Sequence, residues 1–196
     1  MTLADKITSL RIVFAPIFFG IYLLPSFFPV WFAGGAQWTV PVLWFLFIVS
    51  EITDMIDGKV ARKRNEVSDF GKFYDPFADT LVQLTYFLCF VMDRVLPVVL
   101  YLVVLYREFS ILFIRNLMLK KGVAMGARKG GKIKTVAYIS AGAFALASSS
   151  AARLGLDPRI SHWLGLAAVT VFALSVLAAI LSLGDYISVY RKTPPA

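Results

Sequence analysis

Charge is scarce in this chain. Asp, Glu, Lys and Arg make up 16% of its 196 residues, against about 25% in an average soluble domain. Hydrophobic residues make up 59%, and the mean hydropathy is +0.74. A domain of this length has too little interior to hide so many apolar side chains. A soluble enzyme, a disordered chain and a nucleic-acid-binding arm are therefore excluded. Cysteine is nearly absent: Cys89 alone rules out a disulfide framework and a cysteine-only metal site. The single histidine, His162, rules out a histidine-rich metal site. No tandem repeat is present. The net charge of +8 reflects, in a membrane protein, cytoplasmic loops facing anionic lipid and no nucleic-acid partner.

What is present is a series of long apolar runs. No charge falls between Arg11 and Glu51, a stretch too long for one span of about 20 residues. Gly34-Gly35 divides it, which predicts helices over 10–32 and 37–60. The N-terminal run is too long for a cleaved signal, and no small-residue cleavage pattern follows it. Counting in their charged ends, 73–92 and 95–118 have the length of a third and a fourth span. A fifth is predicted over 133–152 and a sixth over 160–188. The expected fold is an all-α integral membrane protein, one domain over 1–196 with six transmembrane helices. Residues 1–11 read equally as an amphipathic surface segment or as the plain flank of the first span.

An even number of spans puts both termini on one side. Of the 20 Lys and Arg residues, only Arg94, Arg153 and Arg159 would fall on the other side. The positive-inside rule then makes both termini cytoplasmic, in a multi-pass protein of the cell (inner) membrane.

Four aspartates sit where a membrane protein has least use for them. Asp54 and Asp57 end the second run, and Asp75 and Asp79 open the third. A carboxylate at membrane depth costs several kcal/mol unless it is paired or bound to a cation. The spacings i, i+3 and i, i+4 put each pair on one helix face. A polar turn over 63–70 lets the two helices stand antiparallel, so that all four carboxylates converge. Such a cluster needs divalent cation, and hard oxygen ligands select Mg²⁺, Mn²⁺ or Ca²⁺ over zinc. Two metals there would suit phosphoryl transfer. Gly58 and Ala61 serve either close helix packing or space for a flat group such as a nucleobase. Arg62 brings a planar guanidinium suited to a diphosphate.

Together these residues read Asp54-x2-Asp57-Gly58-x2-Ala61-Arg62-x8-Gly71-x3-Asp75-x3-Asp79. The pattern resembles the signature of the CDP-alcohol phosphotransferase family at every fixed position. The competing class is a non-enzymatic divalent-cation carrier, which requires neither the glycines, the alanine nor the arginine at these offsets. The resemblance implies a six-helix membrane fold, usually a homodimer, that transfers a phosphoalcohol group from a CDP-linked donor and releases CMP. It implies that Asp54, Asp57 and Asp75 hold divalent metal, with Asp79 completing the set, and that Asp79 is the catalytic base on the acceptor hydroxyl. It assigns donor binding to Asp54, Gly58, Ala61, Arg62 and Asp75. Mg²⁺ or Mn²⁺, as two ions, is the expected cofactor.

Arg107-Glu108 and Arg115 lie near the cytoplasmic end of the fourth run, and Gly131-Lys132-Ile133-Lys134-Thr135 opens the fifth. Basic residues beside an acidic metal cluster suggest an anionic acceptor, with Arg115, Lys132 and Lys134 reading its phosphate. With Thr8-x2-Arg11, these residues resemble the bacterial phosphatidylglycerophosphate synthase branch of the family. That branch implies CDP-diacylglycerol as donor, glycerol 3-phosphate as acceptor and membrane lipids as surroundings, with the active site at the cytoplasmic face. Tyr138 departs from the branch, which often has glutamine there, as does the glycine-rich basic linker 116–130. Another phosphorylated alcohol, such as inositol phosphate, is the nearest alternative.

Overall fold

The computed structural model describes the backbone of residues 3–32, 35–64, 69–123 and 129–193, and the side chains of 6–32, 35–53, 71, 74–123 and 133–193. Its elements are six helices: α1 (Leu3–Phe27), α2 (Thr39–Arg64), α3 (Asp69–Met92), α4 (Val98–Lys120), α5 (Lys129–Arg153) and α6 (Pro158–Lys192). Among the described residues there is no strand. Three helical segments, Lys6–Phe27, Ile133–Arg153 and Pro158–Lys192, are long and apolar enough to cross a membrane, and Thr39–Thr53 is a shorter apolar segment. The chain is an integral membrane protein.

The helix ends are set by local chemistry. Gly155, with φ +66°, closes α5: its N–H reaches the Ala152 carbonyl at 3.1 Å, and that of Leu156 reaches Ala151 at 3.0 Å. A left-handed residue with this pair of bonds satisfies carbonyls that the helix end leaves open. Gly122 closes α4 in the same way, and Arg94, with φ 60°, does so for α3 without being glycine. The Asp157 side chain then caps α6 by accepting from the Arg159 backbone N–H at 2.8 Å, with Pro158 in the first turn. So short a turn makes α5 and α6 antiparallel neighbours along much of their length.

In lipid the hydrophobic effect does not drive helices together, so close packing and polar contacts must. The α5–α6 seam follows that rule. Ala141, Ala145 and Ser148 on α5 are buried, as are Ala168, Ser175 and Ala179 on α6. A Cβ at Gly165 would come within 3.2 Å of Ser148 Oγ, and that hydroxyl donates to the Ser161 carbonyl at 2.8 Å. The centre is aromatic. Phe87 of α3 lies 4.7 Å from Phe172 and meets Tyr138 edge-on at 5.3 Å, while Phe18 of α1 lies 4.4 Å from Tyr86. Leu174, Leu177 and Leu181 of α6 face outward, as a lipid-facing stripe does.

Contacts fix the registers. Thr8, Arg11 and Tyr22 of α1 bond, in the same order, Asp75 and Asp79 of α3 and Asp93 just beyond its end, so these helices run parallel. Arg107 and Arg115 of α4 and Lys121 just past its end likewise bond Ala179 and Tyr186 of α6 and Thr193 just past its end. The start of α1 and the last turns of α6 meet at one end of the bundle.

Candidate active site

At that end, all six helices contribute to one cavity of about 280 Å³. Its polar wall comprises Arg11 from α1, Ser50 and Glu51 from α2, Asp75 and Asp79 from α3, Arg107, Glu108 and Arg115 from α4, Lys134 and Thr135 from α5, and Tyr186 from α6. Four of the residues expected to act, Asp75, Asp79, Arg115 and Lys134, thus line the same space. The side chains of Asp54, Asp57, Gly58, Ala61, Arg62 and Lys132 lie outside the described residues. So does the turn that joins α2 to α3.

The acidic side is anchored on α1. Thr8 Oγ1 donates to Asp75 Oδ1 at 2.8 Å. Arg11 Nη1 donates to Asp79 Oδ1 at 2.6 Å, with 3% of the arginine side chain exposed against 45% of the aspartate. Ser9 Oγ and Tyr74 Oη lie 2.9 Å apart beside the Thr8–Asp75 contact. Pro76 sits inside α3 between the two aspartates, where its ring removes one ladder hydrogen bond.

The basic side is organised by Glu108. Its Oε1 accepts from Arg107 Nη1 at 2.8 Å and from Lys134 Nζ at 2.9 Å, with all three residues buried. Arg107 is further tied to α6 through the Ala179 carbonyl at 3.1 Å and Ser182 Oγ at 3.2 Å. The trio carries one negative and two positive charges. Arg115 differs, pairing with no carboxylate among the described residues. Its Nη2 donates to Tyr186 Oη at 3.2 Å, its guanidinium lies 5.7 Å from the Tyr186 ring centre, and its Nε is buried without a partner. A rigid fork of donors facing a cavity suits a bidentate anion.

Two parts of this arrangement escaped the sequence reading. Arg11 was noted there only within Thr8-x2-Arg11 and carried no role at the site. Glu108 was read only as a neighbour of Arg107 and Arg115 in the fourth run, and its bridging of Arg107 and Lys134 depends on how α5 seats against α4.

The carboxylates are hard oxygen donors, which fits a divalent cation of the Mg²⁺ or Mn²⁺ kind. Among the described residues no group of three or more His, Cys, Asp and Glu side chains surrounds a single point. The described part of the wall therefore supplies only a portion of such a ligand set.

The family described as CDP-alcohol phosphatidyltransferase matches residues 1–181 of the chain. A Treponema pallidum protein named CDP-diacylglycerol–glycerol-3-phosphate 3-phosphatidyltransferase is 41% identical over 150 residues, covering 74% of this chain and 68% of its own. A Bacillus subtilis protein of the same name is 37% identical over 149 residues, covering 71% and 73%. A Mycobacterium tuberculosis protein named probable phosphatidylglycerophosphate synthase is 31% identical over 189 residues, covering 95% and 80%.

Proposed function

Because the chain belongs to the CDP-alcohol phosphatidyltransferase family, we propose that it moves the phosphatidyl group of CDP-diacylglycerol to sn-glycerol 3-phosphate. The products are phosphatidylglycerophosphate and CMP. The observation that carries this reading is the two-sided cavity, with Asp75 and Asp79 on one wall and Arg115 and Lys134 on another. One wall suits a metal-bound diphosphate and the other an acceptor phosphate.

Asp54, Asp57, Asp75 and Asp79 would hold one or two Mg²⁺ or Mn²⁺ ions, which when bound supply positive charge for the donor diphosphate. Arg62 adds to that neutralisation, and Gly58 and Ala61 leave room for the cytidine. Arg115 forks onto the acceptor phosphate, with Lys132 and Lys134 adding point charges. The acceptor 1-hydroxyl oxygen attacks the phosphorus bearing the diacylglycerol, and the bond from that phosphorus to the CMP oxygen breaks. Asp79 takes the hydroxyl proton as the new bond forms. Its half-exposed carboxylate supports that role.

All six helices cross the inner membrane, with both termini and the cavity at the cytoplasmic face. The clustering of basic residues toward that end supports the orientation. A cysteine introduced at Lys63 should resist an impermeant thiol reagent in intact cells, and one at Asp157 should label; the opposite pattern overturns the orientation. The protein works as a homodimer, and cross-linking in native membranes should trap twice the chain mass.

The reaction itself is tested by CMP release from CDP-diacylglycerol by the purified chain, with a panel of acceptors. Glycerol 3-phosphate with Mg²⁺ or Mn²⁺ should release CMP, and chelator should stop it. Release with inositol phosphate alone would move the acceptor assignment. No release with any acceptor, together with metal uptake into vesicles, would make the protein a cation carrier.

A further inference from the structure

Helix α1 does more at the cavity than cross a membrane. Thr8 is fully buried and Arg11 is 2% exposed. Burying a guanidinium or a hydroxyl at membrane depth is costly unless a partner compensates it. Both find that partner on α3, at the two aspartates that face the cavity. The match is one of register. Residues three apart on α1 meet residues four apart on a parallel helix, and Ser9 adds a contact to Tyr74 beside the first of them.

We propose that Thr8 and Arg11 are positioning residues for the two carboxylates of α3: Thr8 sets Asp75 for cation binding, and Arg11 sets Asp79 for the acceptor hydroxyl. This rests on the phosphatidyltransferase reading above. The two donors differ in kind, and so do their effects. A hydroxyl is neutral, so it turns the Asp75 carboxylate by one hydrogen bond and leaves its negative charge for a metal. A guanidinium brings a full charge. It holds Asp79 in one orientation and offsets repulsion from the neighbouring carboxylates. Arg11 reaches Asp79 from the protein side with 3% of its side chain exposed, while 45% of the aspartate stays open to the cavity.

The test uses the full-length chain in lipid nanodiscs, with thermal unfolding as a check on fold. Thr8→Val keeps the side-chain shape and removes the donor. It should weaken Mn²⁺ binding, read by electron paramagnetic resonance, by about 10–100-fold, the usual cost of losing a group that orients a ligand. Saturating Mn²⁺ should restore most of its turnover, and Thr8→Ser should behave as wild type. Arg11→Ala should lower kcat by about 10–100-fold, with the KM for CDP-diacylglycerol nearly unchanged. Arg11→Lys should recover part of that kcat, because it restores the charge without the fork.

Variants that lose thermal stability yet keep wild-type Mn²⁺ affinity and kcat would overturn the proposal and leave α1 as a structural strut. If Arg11→Ala does not fold, Arg11→Lys and Thr8→Val decide: wild-type kcat in the first with wild-type Mn²⁺ affinity in the second overturns it. Asp75→Asn and Asp79→Asn separate this from the underlying reading. Should Asp75→Asn lose Mn²⁺ and Asp79→Asn lose turnover while the α1 variants stay normal, only the positioning role fails. Should the two aspartate variants also stay normal, the phosphatidyltransferase site itself is misassigned, and the positioning role falls with it.

Discussion

The bundle carries a polar cluster at each end, and they are built on opposite plans. They stand about 20 Å apart along α3, from Asp79 to Asp93, by helical rise. At the end away from the cavity, Asp93 Oδ2 accepts from Tyr22 Oη at 2.6 Å and from Ser149 Oγ at 3.0 Å. Arg153 donates to Ser149 Oγ, Thr39 Oγ1 and the Tyr22 carbonyl, stacks 4.5 Å from the Tyr22 ring centre, and lies 3.9 Å from Asp93. One carboxylate and one guanidinium thus tie α1, α3 and α5 together with the residue that opens α2, and protein groups supply their partners. At the cavity end the ion pairs are as tight, with Arg11 on Asp79 at 2.6 Å and Glu108 between Arg107 and Lys134, but Arg115 stands outside them. Arg115 keeps an unpartnered Nε, and nearly half of Asp79 is exposed. In a low-dielectric setting an unbalanced polar cluster is costly. A cationic fork with no carboxylate partner, set beside a cavity, is the kind of group a ligand would complete; a carboxylate and a guanidinium supplied with protein partners act as a fastener.

That contrast predicts where substitutions act. The largest effect belongs to Asp79→Asn. Loss of a general base costs about 10²–10⁴-fold, so transfer should nearly vanish while CDP-diacylglycerol binding, measured by equilibrium titration, stays mostly intact. Near wild-type turnover would remove Asp79 from the role of base.

Arg153→Ala should do the reverse. Side-chain hydrogen bonds between membrane helices average about 0.6 kcal/mol each, so losing several should destabilise the fold by about 1–3 kcal/mol. The check is thermal or denaturant unfolding in detergent, paired with kinetics: KM for both substrates should hold at temperatures where the variant is folded. A changed acceptor KM would mean that the two ends are coupled, and the contrast would fail.

The smallest effect sharpens the fastener end. Arg94 adopts the left-handed conformation without being glycine, at a cost of about 1–2 kcal/mol. Arg94→Gly removes that strain but adds freedom to the unfolded chain. It should stabilise the protein by about 0.5 kcal/mol, seen as a small rise in Tm with unchanged turnover.

Sequence carried much of the fold because helix number follows from uncharged runs and turn residues. The ends were less legible. The first helix was expected from residue 10 and begins at Leu3, since Thr8 and Arg11 are buried against α3 and continue the helix through a polar turn. The sixth was expected to end at 188 and runs on to Lys192. Within the candidate site, the aspartate pairs were legible because i, i+3 and i, i+4 spacing is local. Partners set by tertiary register were not. Nothing near Arg11 in the chain points to Asp79, and nothing near Lys134 points to Glu108. Asp93 and Arg153 read only as charges bounding loops, because their network spans residues 22 to 153.

The central claim is that the open cluster reads an acceptor phosphate through Arg115, and acceptor kinetics of Arg115→Ala test it most directly. The KM for glycerol 3-phosphate should rise far more than that for CDP-diacylglycerol, with a loss of about 2–4 kcal/mol in kcat/KM, the range for removing one side of a buried charged contact. Arg115→Lys should recover only part. If Arg115→Ala instead weakens the donor and leaves the acceptor untouched, the basic wall belongs to the diphosphate or the lipid headgroup, and the claim of a phosphorylated acceptor is contradicted.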